Sequence, residues 1–396
     1  LASSSLDVES LSVPPGGSPA EQCRLLLAAV SAWLETLAPA RTLADAIFAE
    51  LQVSDLACFE AVNAEYAKAF RSQPPARVCI QTPLPEALHL RLRLLLREAS
   101  STLEAQSLRV QSISTWAMAC IGPYSQAFRV GPLLFSAGVL GLIPHSMVLP
   151  TAAQAAVALP ASDVAELAQW EAELWLLMRS LLAVLAEMGH KPSNVRMARI
   201  YTSASGIDSC RAICAAVLRY FGSHPEGAPL MAFAAVPRLP KDGCVEVQVV
   251  CASDEEPIPA VRTLQCCGGT VTAAIRCLGG SGTCRSWTCM VEFQRLRDVL
   301  LEDVAQAAAH CGSLLQEALL ELTSEVGEAI SGLNMGLEVQ YSSPQLNPRS
   351  VEEVVGSAVR SCGGCFDGAA VSFMPVLSLG AHTRLRFLAL VGPTGP

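Results

Sequence analysis

Charge is scarce in this chain. Only 16% of its 396 residues are Asp, Glu, Lys or Arg, and aromatic residues make up 5%. With 51% hydrophobic residues, that composition excludes a disordered chain and indicates a globular one of two or three domains. The balance is acidic, −9 at pH 7, without long runs of one sign. No basic stripe occurs, which argues against a nucleic-acid platform. No apolar run reaches the ~18 residues of a membrane span; the longest candidate, Leu174 to Leu185, carries Arg179. No signal peptide is legible at the start. A Gly-rich phosphate loop is also missing, so neither a nucleotide nor any other cofactor is expected. The six His residues show no ligand spacing.

Cysteine is the exception to this scarcity, with 16 residues. A chain of this size buries a core without disulfide staples. Cys79, Cys120, Cys214, Cys244 and Cys251 lie inside apolar runs, where a free Cys behaves as a small hydrophobe. A reducing, cytoplasmic setting is expected. Cys362-Gly-Gly-Cys365 is the one CxxC, but Cys266-Cys267 lacks the spacing of a second ligand pair. No metal is assigned.

The patterning contains a recurrence. Residues 1–20, rich in Ser, Pro and Gly, read as a loop. Glu21 to Ala38 has apolar residues at helical spacing on one face. Leu43 to Val53 reads as a strand, Asp55 to Arg71 as a helix stopped by Pro74-Pro75, and Arg77 to Thr82 as a strand. From Leu88 to Leu96, leucines alternate with His89, Arg91 and Arg93, the period of a half-buried strand. The middle offers a hairpin (Ser112 to Val130 and Leu133 to Leu140) and a helix from Ser162, a plausible N-cap, to Gly189. A strand from Val195 to Thr202, a helix from Ile207 to Phe221 closed by Gly222, and strands at Leu230 to Val236 and from Val245 follow. The end repeats this order more faintly. Its strands are expected at Thr270 to Cys277, Ser286 to Phe293, Met335 to Tyr341, Ala370 to Val376 and Thr383 to Leu390. Its helices are expected at Asp298 to Val326 and Ser350 to Cys362. Three copies of one unit are therefore predicted, 1–98 without its opening hairpin, 112–254 and 255–396, with 99–111 as a linker. Either Leu1 lies inside a longer protein or the first copy is degenerate. Two helices cover one face of each mixed sheet, so the other face must meet a partner. Trp116, Trp170 and Trp175 are expected in the core.

One string is distinctive: Ile121-Gly122-Pro123-Tyr124-Ser125-Gln126, followed by Leu133-Leu134-Phe135-Ser136-Ala137-Gly138. It resembles the opening hairpin of the YjgF/RidA family, also called endoribonuclease L-PSP or translation initiation inhibitor proteins. The resemblance implies an α+β, chorismate-mutase-like fold assembled as a trimer with ligand clefts at its interfaces. Three copies on one chain would build that trimer internally. It also implies that one unit offers an Arg, an Asn and a Cys, and its neighbour a Tyr, a Ser-Gly pair and a Glu. The Arg grips the carboxylate of an imine or enamine acid, and the Glu directs water for hydrolysis to a keto acid and ammonia.

Carried over, the first copy supplies Asn63, Arg77 and Cys79, within Pro75-Ala76-Arg77-Val78-Cys79, but has Arg91 where the Glu belongs. The second supplies Tyr124, Gly138 and Glu246, with Ala137 in place of the Ser, Met231 at the Arg position and Cys214 at the Asn position. The third has Val371 and Arg386 at the Arg and Glu positions. The implied site is one composite cleft, with Arg77, Glu246 and Tyr124 catalytic and Asn63, Cys79, Ala137 and Gly138 binding a small carboxylate. An Arg suits bidentate carboxylate recognition. Blander readings stand beside these roles: an Arg77 surface ion pair, a solvated Glu246, Tyr124 in the core, Cys79 as packing.

Val110-Gln111-Ser112-Ile113-Ser114 with Trp116 further resembles the carboxy-terminal, RidA-like region of eukaryotic diphthine–ammonia ligases. That implies an upstream or separate ATP-pyrophosphatase amidating domain as partner. Three functions stay open: an imine deaminase or accessory to amidation, a non-catalytic ligand-binding scaffold, and, on the family's name alone, an endoribonuclease or translation inhibitor.

Overall fold

The computed structural model describes residues 2–6, 17–37, 39–97, 103–151, 153–154, 168–221, 228–253, 262–266, 271–279, 286–294, 304–305, 333–342, 348–361, 370–377, 379 and 383–393. The fold is mixed α+β, and its strands form three sheets. The first runs β1 (Ala2–Leu6), β4 (Leu90–Leu96), β2 (Ala46–Val53), β3 (Ala76–Gln81). The second runs β10 (Leu230–Val236), β9 (Val195–Ser203), β11 (Val245–Ala252), β7 (Leu133–Ser136), β6 (Ala127–Val130), β5 (Ala105–Leu108), and β8 (Val139–Leu140) also pairs with β11. The third runs β12 (Arg262–Cys266), β13 (Val271–Gly279), β14 (Ser286–Gln294), β17 (Thr383–Pro393), β15 (Leu333–Ser342), β16 (Ala370–Val376).

Each sheet holds one parallel pair: β2 with β3, β9 with β10, β15 with β16. Parallel neighbours need a crossover. The helices α2 (Phe59–Ala69), α4 (Cys210–Phe221) and α5 (Pro348–Ser361) lie in those connections. The other side of the pair carries an antiparallel strand, β4, β11 or β17.

The helix α1 (Pro19–Glu35) starts where Ser18 accepts a hydrogen bond from the Glu21 amide and Pro19 presets the first turn. It buries Cys23, Leu26, Leu27, Val30 and Leu34, a single face at three- and four-residue spacing, against the first sheet. The helix α3 (Gln169–Glu187) buries Leu174, Leu177, Leu181 and Leu185 in the same way. No described helix is long and apolar enough to cross a membrane.

Opposite the helices, the sheets pack on one another. Ile47, Phe48, Val78 and Ile80 of the first sheet share one core with Phe135, Met197 and Val250 of the second and Met374 and Leu388 of the third. This two-sided burial corrects the half-buried reading of the leucine–arginine strand. All of β4 is buried, and Arg91 and Arg93 are buried with it, at 3% and 7% exposure. Such burial is tolerable because each is paired. Arg91 donates to both Glu352 carboxylate oxygens, at 3.0 and 2.9 Å. Arg93 is hydrogen-bonded to Glu338 and lies 3.9 Å from Glu50. Arg199 completes the group, 3.3 Å from Glu50 and 3.1 Å from Glu338. Burial and the nearby Glu338 carboxylate push the Glu50 carboxyl up to about 7, against the pull of Arg93 and Arg199. In Glu338, burial is outweighed by the Arg199 and Arg93 guanidiniums, which hold it below its ordinary value.

Other boundaries shift. Residues 2–6, read as loop, are a strand, with Ala2 opposite Leu96. Residues 105–108, read as linker, pair with β6 and extend the second sheet. The hairpin strand read from Ser112 begins at Ala127 instead, since Gln126 spends its side chain holding the preceding loop at Val110 and Met118. The third helix begins at Gln169, after Ala168 as N-cap; Ser162 and Gly222 lie outside the described residues. So do Cys362, Cys365 and, apart from 304–305, the helix expected over 298–326. Trp116 is 37% exposed rather than a core residue, while Trp170 is partly buried and packs against the core.

Ile200 is fully buried in the core, on the face of β9 opposite Arg199. Ile200→Ala is expected to cost about 2–5 kcal/mol of stability, read as a large fall in the thermal unfolding temperature.

Candidate functional site

The site lies on a seam between the first two sheets. Pro74-Pro75 delivers the chain to β3, and both prolines offer free carbonyls. Ser125 uses them: its hydroxyl donates to Pro74 O at 2.7 Å and its amide to Pro75 O at 3.1 Å. Ala76 and Ser125 form a parallel bridge, and the Gly138 amide donates to Arg77 O at 3.1 Å. The edge of the first sheet is thereby stitched to residues 124–138 of the second.

The helix α2 presents Phe59, Asn63 and Tyr66 on one face, at four- and three-residue spacing. Arg77 fits against that face and is 3% exposed. Its Nη2 donates to Asn63 Oδ1 at 2.8 Å. Its guanidinium carbon lies 4.6 Å from the Tyr66 ring centre, 5.4 Å from Tyr124 and 6.0 Å from Phe59. These π faces stabilise a cation that has little water. Arg77 Nε and Nη1 have no hydrogen-bond partner among the described residues.

Glu246, from β11, is a second ionisable group in the seam and is also 3% exposed. Its Oε2 has no hydrogen-bond partner among the described residues. Burial pushes its carboxyl up to about 8, against the pull of Arg77. Two glycines make room for this pair of charges. A Cβ at Gly138 would stand 1.6 Å from Glu246 Oε1, and one at Gly122 would stand 2.7 Å from Arg77 Nη2. A cavity of about 460 Å³ opens at Asn63 and Gly122, with Leu56, Phe59, Ile121 and Lys241 among its walls.

The residues expected from the sequence therefore meet unequally. Asn63, Arg77, Tyr124, Gly138 and Glu246 converge. The Tyr124 hydroxyl accepts from the Ile121 amide at 3.3 Å, and burial holds its phenol well above the usual range, so it is a neutral group. Cys79 sits beneath, its thiol pushed up to about 12 by burial, which suits packing rather than nucleophilic attack. Ala137 contributes backbone: its amide donates to Gln126 O at 2.7 Å. The adjacent Ser136 hydroxyl is occupied by the Val249 amide and Ala137 O.

Phe59, Tyr66 and Ser125 were not among the residues expected. The first two were legible as helical neighbours of Asn63. Ser125 was not, because its partners are carbonyls about fifty positions away in the chain. Among the described residues, no group of three His, Cys, Asp or Glu could hold a metal ion.

The corresponding strand positions in the other sheets carry arginines. Arg91 faces Gln52 as Glu246 faces Tyr201, and Arg386 faces Gln340. Arg91 is tied to Glu352. Arg386 donates to Phe233 O at 2.5 Å, Gln340 Oε1 at 3.0 Å and Leu379 O at 3.2 Å.

Residues 114–253 match the family described as Endoribonuclease L-PSP. The matching segment is about a third of the chain. It contains Tyr124, Gly138 and Glu246, whereas Asn63, Arg77 and Cys79 lie outside it. Over 103 residues the chain is also 34% identical to a diphthine–ammonia ligase of Schizosaccharomyces pombe, covering 26% of this chain and 16% of the ligase. The chain thus matches a small part of that relative's length. Similar solved structures include RidA from the Antarctic bacterium Psychrobacter sp. (23% identity, 37% of this chain and 99% of that one, TM-score 0.28). Another is E. coli TdcF with bound serine (17% identity, 36% and 96%, TM-score 0.27).

Two consequences are measurable. Gly138→Ala is expected to displace Glu246 and lower the unfolding temperature, with the chain still folded by circular dichroism. The second concerns pH. A buried acid with a raised value favours its neutral form, so its stabilising contribution is complete below about pH 4.5 and is lost as pH rises through about 8. Glu246→Gln stays neutral throughout. Its unfolding temperature should therefore gain on the wild type progressively between pH 5 and pH 8; a constant difference would contradict this environment for Glu246.

Proposed function

We propose that the three sheets are three copies of one L-PSP-type unit, at 1–98, 112–254 and 255–396, packed as a pseudo-trimer within the chain. The cleft between the first two copies then binds a small acid and hydrolyses its imine or enamine form. The observation that carries this reading is the buried pair of opposite, incompletely bonded groups: Arg77, with two nitrogens unpartnered, and Glu246, with one oxygen unpartnered. Leaving such groups unsatisfied costs about 1–3 kcal/mol each, and a ligand carboxylate on Arg77 would repay part of it.

The chemistry follows. Arg77, held by Asn63 and the aromatic faces, binds the carboxylate beside the C=N bond. Water adds to the imine carbon as ionised Glu246 takes its proton. Glu246 then returns that proton to the nitrogen, giving a carbinolamine, and next carries the carbinol O–H proton to the nitrogen as the C=O bond forms and the C–N bond breaks, so that a keto acid and ammonia leave. Ionised Glu246 becomes the major form only above about pH 8, so turnover should rise through that value.

A second reading is a binding module without turnover. It draws on the arginines that occupy the two other seams, Arg91 with Glu352 and Arg386 with Phe233 O, and on Ala137 lacking a hydroxyl. The likeness to a diphthine–ammonia ligase supports placing either activity, in the cytoplasm, beside an amidating ATP-pyrophosphatase domain upstream or on a partner.

The test generates 2-aminoacrylate-type imines with a coupled dehydratase and follows keto acid. Arg77→Ala and Glu246→Gln are each expected to lose at least about 100-fold in rate, the lower end of general acid–base effects. Keto-acid binding by an inactive wild type would select the module reading.

A further inference from the structure

Away from the seam, four buried charges occupy the place where all three sheets meet. Glu50 lies on β2, Arg93 on β4, Arg199 on β9 and Glu338 on β15. They form a closed square of alternating sign. Arg93 bonds Glu338, which lies 3.1 Å from Arg199; Arg199 lies 3.3 Å from Glu50, and Glu50 lies 3.9 Å from Arg93. Both carboxylates are fully buried, each taking a further bond from a glutamine on its own strand, Gln52 at 2.9 Å and Gln340 at 2.6 Å.

The strand registers show that three of the four hold one structural position. Glu50 is opposite Val78 and Arg93, Arg199 opposite Ala232 and Gln248, and Glu338 opposite Ser372 and Leu388. In each case the residue lies on the strand shared by the parallel and antiparallel pairs. The charges along this position read minus, plus, minus, and the position paired with it reads Arg, Gln, Leu.

Resting on the three-copy arrangement proposed above, we infer that this square is an ordering lock that fixes which sheet neighbours which around the ring. Three copies of the second sheet would bury three Arg199 together with no acid, and three of the third would bury three Glu338 with no base. Either is prohibitive, since an unpaired buried ion costs several kcal/mol. Neither the second sheet nor the third can therefore occupy all three places in the ring. The direction of the ring is fixed as well. Arg93 reaches into the third sheet; with the order reversed it would face Arg199, cation against cation. In that reversed ring Arg77 would also face Arg386 instead of Glu246. The lock thus brings the two halves of the composite cleft together, from a place where it touches no ligand.

The test uses the 396-residue chain at pH 8.5, above the value to which Glu50 is pushed. Arg199→Glu would place three acids around one Arg and should lower the unfolding temperature far more than Arg199→Met. The double variant Glu50→Met/Arg199→Met leaves the neutral Arg93–Glu338 pair and should unfold above Arg199→Met alone. Amide exchange at Ser125 and Gly138, whose N–H groups cross the first seam, should accelerate at least tenfold in Arg199→Glu. Equal unfolding of Arg199→Glu and Arg199→Met, or a double variant that loses the sum of both singles, would overturn the lock. So would seam amides whose exchange does not change. None of these readouts requires catalysis, so a failed hydrolysis assay and a failed lock are separate results. If Arg199→Glu does not fold, the two methionine variants still decide the question.

Discussion

The structure depends on keeping charge where water is excluded. Arg77 is a cation buried among three aromatic rings, with Asn63 as its one side-chain acceptor among the described residues and a largely neutral Glu246 close enough to feel its charge. A guanidinium in that setting needs a second anion. Everything around it serves the condition: glycines that make space, prolines whose carbonyls bind the opposing strand, and an adjoining cavity of about 460 Å³. The stability forgone there is supplied by the apolar core that the three sheets share.

The same constraint is met differently at the other two seams. Where Glu246 stands in the second sheet, Arg91 and Arg386 stand in the first and third, and each is neutralised or hydrogen-bonded by protein groups alone. An arginine that finds its anion or carbonyl inside the protein does not need a ligand. On the proposed reading, one fold keeps a single ligand-binding cleft while using equivalent positions as fasteners. If the three sheets are three copies of one unit, as proposed, a single chain is free to differentiate them in this way; a homo-oligomer, with identical seams, is not.

Much of this was legible in the sequence because it is local. Local patterning gave α1 and the helix that carries Asn63, and the Ile121–Gln126 string pointed to the hairpin and its Tyr. The strands Ala370–Val376 and Leu230–Val236 fell where alternation and punctuation placed them. What escaped was long-range. Alternation in Leu88 to Leu96 reads as one wet face, since a sequence does not display that Arg91 and Arg93 find acids some 250 residues away. For the same reason Ala2–Leu6, a Ser-rich stretch, reads as loop until its partner Leu92–Leu96 is known. Of the site, the residue types were readable from resemblance. Their ionisation was not, because a protonated Glu246 and an inert Cys79 result from burial that only the assembled seam creates.

The most direct measurement is a crystal structure of the chain with a bound small keto acid such as 2-oxobutanoate. The account predicts its carboxylate on Arg77, within hydrogen-bonding distance of the nitrogens that the protein leaves unpartnered, and its carbonyl facing Glu246 across the first seam. A keto acid bound at another seam, or an Arg77 contacted only by protein in the liganded crystal, would contradict it.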